Sequence, residues 1–131
     1  MEDIADEDKF KDDKARLFDI AKSIEEIGAA LDGIDFETFL AEENVQEEVT
    51  TELSLLGGAA TLLSEEFMEQ YGDVDWVTLK LLKYAAYDEA NELDPHALWY
   101  IIENDLPLVR DQVLDITTVL QDREDREEFI W

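Results

Sequence analysis

Cysteine is absent from the chain, which excludes a disulfide framework, a thiolate metal site and a cysteine nucleophile. Histidine occurs once, at His96, so no multi-histidine metal site can form. The carboxylates are so dense that they match metal-ligand spacings by chance, and neither a specific metal nor a cofactor is expected. Five glycines and two prolines leave little room for long loops. Apolar runs are short as well. The greasiest, Leu53 to Leu63, is interrupted by Ser54, Gly57, Gly58 and Thr61, well short of the roughly 18 apolar residues of a membrane-spanning helix. The N-terminal MEDIADEDKF is acidic and lacks an apolar h-region, so no signal peptide is expected. A cytoplasmic protein without membrane contact fits these absences.

Positive charge is also scarce. Ten Lys and Arg stand against 36 Asp and Glu, a net charge of −26, with the acids spread from Glu2 to Glu128. Such charge alone would suggest disorder, but 46% hydrophobic residues in clear periodic patterns argue for a folded core under an acidic shell. The composition resembles that of haloarchaeal cytosolic proteins, whose carboxylate surfaces stay hydrated in concentrated salt. The charge sets a condition on nucleic acid. At about 0.15 M salt the Debye length is near 8 Å and RNA should be repelled; at about 1 M it is near 3 Å and the long-range penalty largely vanishes. RNA contact is therefore expected in high salt if at all. A different reading of the same surface is an acidic binding protein that mimics nucleic acid.

At 131 residues the chain fits a single domain, residues 1–131, with short acidic tails. Phe10, Leu17, Ile20, Ile24, Ile27 and Leu31 form one stripe of an amphipathic helix from about Phe10 to Leu31. Asp32-Gly33 supplies a stop, and Asp35 can cap a short turn through Phe36, Phe39 and Leu40. Val45, Val49, Leu53, Leu56, Ala60, Leu63, Phe67 and Tyr71 predict one long helix from about Asn44 to Tyr71. Inside it, Gly57 and Gly58 each cost about 1 kcal/mol relative to alanine, which close approach of a neighbouring helix would offset. Asp75 can cap a helix carrying Trp76, Leu79, Leu82, Ala86 and Leu93 to the core. Asp94-Pro95 restarts the chain, with Pro at the first helical position. Pro107 should then kink or restart the helix, and Val109, Val113, Ile116 and Leu120 form a last stripe. No strand alternation of useful length is present. The sum is an all-α, up-and-down bundle of four to five helices.

Within this pattern, WVTLKLLKYAAYDEANELDPHALWYIIENDLP, from Trp76 to Pro107, resembles the catalytic half of the HepT-like toxins of the HEPN superfamily. Trp76, Trp99 and the run Ile101-Ile102-Glu103-Asn104-Asp105-Leu106-Pro107 stand at that family's spacing. Asp35-Phe36-Glu37-Thr38-Phe39-Leu40, Leu55-Leu56-Gly57-Gly58-Ala59-Ala60 and Leu63-Ser64-Glu65-Glu66-Phe67 follow its order, so the likeness spans roughly residues 13 to 118. The resemblance implies a small helical protein that cuts RNA as a homodimer without metal. Its expected partner is a minimal nucleotidyltransferase antitoxin encoded beside it.

The family's reagents are replaced. Where it places arginine, histidine and tyrosine, this chain has Lys83, Asp88 and Ala90. Lysine keeps the charge but loses the bidentate fork that suits phosphate. An exposed carboxylate is a poor proton donor at neutral pH, and Asp88 would also repel a phosphodiester. Ala90 removes the hydroxyl that the family's antitoxins modify, and the acid of the family's Ile-Gly-Glu-Ala stretch is Gly58 here. These departures point to a dimeric scaffold of a toxin and antitoxin module whose ribonuclease motif is degraded. The alternative is an active ribonuclease with a remodelled site built on Lys83 and Asp88. The plainest reading of both residues is a solvated helix surface; five positions apart, they lie about 140° around a helix and cannot form the favoured i,i+4 pair. His96 reads as a surface residue. Tyr84, Tyr87 and Tyr100 read as core or dimer packing, because basic residues are not interleaved with them. Phe129-Ile130-Trp131 fits either a partner anchor or a terminus folded back on the bundle.

Overall fold

In a computed structural model of the chain, residues 10–84 and 95–129 are described, the last nine of these as backbone only. The described residues form an all-α helical bundle. Helix α1 spans Lys11–Ala30, α2 Phe36–Ala41, α3 Glu43–Thr61, α4 Glu65–Gln70 and α5 Trp76–Leu81, which passes into a 3-10 turn at Leu82–Tyr84. After the gap come α6, Pro95–Tyr100, a π turn at Ile101–Asp105, and α7, Leu106–Phe129. No described helix is long and apolar enough to cross a membrane.

The apolar stripes meet where periodicity places them. Leu17, Ile20 and Ile27 of α1, Val49, Leu53, Leu56 and Ala60 of α3, and Val113 of α7 are all buried. Helix α1 packs chiefly on α3, and α7 packs on α1 as well. Removing these side chains from water, at about 25 cal/mol per Å² of apolar surface, is the main term holding the helices together. The turns follow their local chemistry. Gly33 takes φ +74°, a left-handed conformation that stops α1's exit turn. Asp35 accepts the Thr38 amide at 2.8 Å, and Asp75 accepts the Thr78 amide at 3.1 Å, each as the N-cap of its helix.

The two tryptophans that frame the family resemblance are aromatic anchors. Trp76 donates its indole N–H to the Tyr71 carbonyl at 3.0 Å and lies near Phe67, with ring centroids 6.1 Å apart. Trp99 lies against Phe36 and Phe39, at 5.5 and 5.2 Å, and so ties α6 to α2.

Three expectations are corrected. The single helix from Asn44 to Tyr71 is two, because Ser64 leaves the helical conformation at ψ 153° and becomes the N-cap of α4, accepting the Phe67 amide. The helix begun at Trp76 tightens into a 3-10 turn after Leu81; its expected core positions Ala86 and Leu93 lie outside the described residues. Pro107 does not interrupt the helix: it lies in the first turn of α7, directly after the π turn. In an α-helix its ring would meet the carbonyl one turn back. Here the preceding turn is widened to π geometry, with the Leu106 amide donating to the Ile101 carbonyl, and the helix continues.

Candidate functional site

Helix α3 is flanked by α1 on one side and by the 3-10 turn on the other. Between these two walls lies an open groove of about 840 Å³ with α3 as its floor. Lys83, one of the positions singled out from sequence, is on its rim.

The backbone at Lys83 is held tightly. A Cβ on Gly57 would stand 2.1 Å from the Lys83 amide nitrogen and 2.8 Å from its Cα, so only glycine permits this approach. One turn earlier on α3, the buried Ser54 donates its hydroxyl to the Lys83 carbonyl at 2.7 Å. The close approach expected at the glycine pair is therefore made within the chain, by the 3-10 turn rather than by another long helix. Gly58 differs, since a Cβ there would meet nothing within 4 Å. It faces the groove.

The Lys83 side chain is half-buried, with Nζ 4.9 Å from the centre of the Tyr84 ring, in the range of a cation–π contact. Tyr84 itself is 50% exposed and lines the groove, and Tyr100 is 63% exposed. Both are exposed in the single chain, so of the two packing roles expected from sequence, core packing does not apply to them. Tyr87 lies outside the described residues, as do Asp88 and Ala90. Among the described residues the structure places Lys83 on the groove, with Gly58, the position of the family's acid, on its floor. His96 is exposed, as expected, and meets the Phe36 ring edge-on at 5.0 Å.

Sequence reasoning missed the other two cations of the groove, Arg16 and Lys22, which α1 contributes. With Lys83 they are three of the chain's ten basic residues. Three carboxylates, Asp19, Glu26 and Glu52, share the lining, so the groove is formally neutral on a chain of net charge −26. Its only ion pair among the described residues is Arg16 to Asp19, 3.5 Å apart and solvent-exposed, a type worth about 0–1 kcal/mol. No described group of three or more His, Cys, Asp or Glu is arranged to hold a metal.

Two proteins of Methanocaldococcus jannaschii are similar to this chain. It is 25% identical to one named "Putative RNase MJ1380" over 103 residues, 79% of this chain and 94% of that protein. It is 25% identical to one named "Putative RNase MJ0127" over 118 residues, 90% of this chain and 95% of that protein. No family model matches the chain, and no solved structure matches it significantly.

Proposed function

We propose that this chain is a HepT-like HEPN protein of the ribonuclease family, acting as a dimeric component of a toxin and antitoxin module, that keeps the RNA-facing groove but has lost the usual cutting chemistry. Near full-length similarity to two proteins named as RNases supports the ribonuclease ancestry. The observation that carries the reading is Lys83. Its backbone is fixed against Gly57 and Ser54 on the rim of an open groove, so the frame of the motif position stands while its side chain lacks the arginine fork. The residues at the other two motif positions are Asp88 and Ala90. Neither is a proton carrier of the histidine type at neutral pH.

The test is incubation of purified protein with RNA in about 2 M KCl, where charge repulsion is screened to a few ångströms, beside Lys83→Ala and Asp88→Ala. No cleavage by the unmodified protein is expected. Cleavage abolished by either substitution would establish the alternative, a remodelled active ribonuclease. Light scattering in the same salt should return a dimer mass, and a gene for a minimal nucleotidyltransferase is expected next to this one.

A further inference from the structure

The chain has few cations, and three of them line one groove. Lys22 and Lys83 make no ion pair among the described residues, although Glu26 and Glu52 line the same groove, and Arg16 is held only by the long, exposed contact to Asp19. The chain as a whole carries a net charge of −26. In this formally neutral groove of a strongly acidic chain an anion meets two ammonium groups outside any ion pair among the described residues, and a guanidinium that can exchange a weak carboxylate partner for phosphate. The guanidinium fork missing at position 83 is present on the opposite wall, at Arg16.

A second observation concerns the floor. Gly58 sits in mid-helix, where glycine costs about 1 kcal/mol relative to alanine, yet no neighbour requires it. What its missing side chain provides is open space in the groove, bordered by the exposed Leu55, Leu62 and Tyr84. Flat apolar and aromatic surface beside phosphate-binding cations is the combination that single-stranded nucleic acid uses, bases stacking while the backbone is neutralised.

From this geometry we infer that α1 supplies an RNA-holding element to the groove: Arg16 and Lys22, with Lys83 opposite, bind successive phosphates of a single strand, while Tyr84 stacks a base. The inference rests on the RNA-facing reading above and adds the residues that hold the strand independently of any cleavage. Arg16 and Lys22 are positioning residues that contact phosphodiester oxygens and move no protons.

The experiment is fluorescence anisotropy of a labelled single-stranded oligouridylate against the full chain, titrated in KCl from about 0.3 to 2 M. For single strands, each neutralised phosphate contributes about 0.7 to the slope of log affinity against log salt. The double variant Arg16→Ala/Lys22→Ala should therefore lose about 1.4 from that slope and bind roughly tenfold more weakly at the low-salt end. Arg110→Ala, on α7 away from the groove, should bind as the unmodified protein does. Tyr84→Phe should retain affinity that Tyr84→Ala loses. Gly58→Leu, which favours the helix but fills the floor, should keep the helical circular dichroism and lose binding. Absence of binding by the unmodified protein across the salt range, unchanged binding by the double variant, or an equal loss with Arg110→Ala overturns the inference. A dimer without RNA affinity would overturn it while leaving the scaffold reading standing. Binding through Arg16 and Lys22 accompanied by cleavage would uphold it and overturn the reading of lost chemistry.

Discussion

Gly57 and Lys83 touch backbone to backbone: the glycine's missing Cβ would fall 2.1 Å from the lysine's amide nitrogen. The contact fixes the 3-10 turn on α3 and so decides where the groove rim stands. Gly57 and Gly58 are adjacent in sequence, but only the first is required by packing.

That difference predicts opposite outcomes for one substitution at neighbouring positions. Gly57→Ala pushes a methyl into backbone that cannot swing aside and should cost about 1–3 kcal/mol or more, as over-packing does. Gly58→Ala meets open space and should stabilise by up to about 1 kcal/mol through helix propensity. Urea unfolding of both variants in molar KCl measures the pair, and equal destabilisation would contradict the contact.

Asp13 should behave as a structural acid. It is 4% exposed and accepts both the Ser64 amide, at 2.7 Å, and the Ser64 hydroxyl, at 2.8 Å, across 51 residues of sequence. Ser64 in turn caps α4, so the carboxylate fastens the α3 to α4 break to α1. Asp13→Ala removes both bonds to Ser64, each to an ionised acceptor, and should destabilise by about 1–3 kcal/mol. Asp12→Ala, one residue away and exposed, should change stability by about 0.5 kcal/mol or less. Thermal unfolding in high salt compares them.

Acid sensitivity should be traceable in part to two caps. The Thr38 side chain and amide hold the Asp35 carboxyl below its ordinary value, and the Thr78 hydroxyl and amide do the same for Asp75. A depressed folded-state value means that these caps contribute fully above the ordinary carboxylate range and fade as pH falls from there through the lowered value. Asparagine caps equally well but does not titrate. The double variant Asp35→Asn/Asp75→Asn should therefore lose stability less steeply than the unmodified protein below about pH 4. Taking the difference between the two proteins removes the opposing effect common to both, relief of self-repulsion as other carboxylates protonate.

Salt should stabilise the fold. A net charge of −26 on a 15.1 kDa chain opposes compaction, and raising KCl from about 0.1 to 1 M shortens the Debye length from about 10 to 3 Å. The unfolding temperature should rise across that range. A flat or falling response would show that self-repulsion is not what limits stability.

Much of the fold was legible along the chain because helix formation is mostly a local matter. The 3.6-residue stripes located α1 and α7, Gly33 marked α1's exit, and Asp35 and Asp75 marked helix starts. The break at Ser64 was hidden because Leu63 and Phe67 keep the helical spacing straight through it. Only a partner 51 positions away, Asp13, completes the cap. The candidate site was legible at one residue, Lys83. Arg16 did carry a signal, since Arg16, Asp19, Ser23 and Glu26 run as a polar stripe beside α1's apolar one, with Lys22 next to it. A stripe, however, does not say which neighbour will leave it uncovered.

The sequence by itself determined an all-helical chain with an acidic shell, no thiol chemistry and a family-like frame around altered motif positions, because composition, periodicity and capping chemistry are properties of residues and their near neighbours. Tertiary structure alone decided that Gly57 is filled from within, that Pro107 is absorbed by a wider turn, and that three scarce cations share one groove. Each of these depends on which surfaces meet, and that is fixed only when distant helices compete to bury their apolar faces.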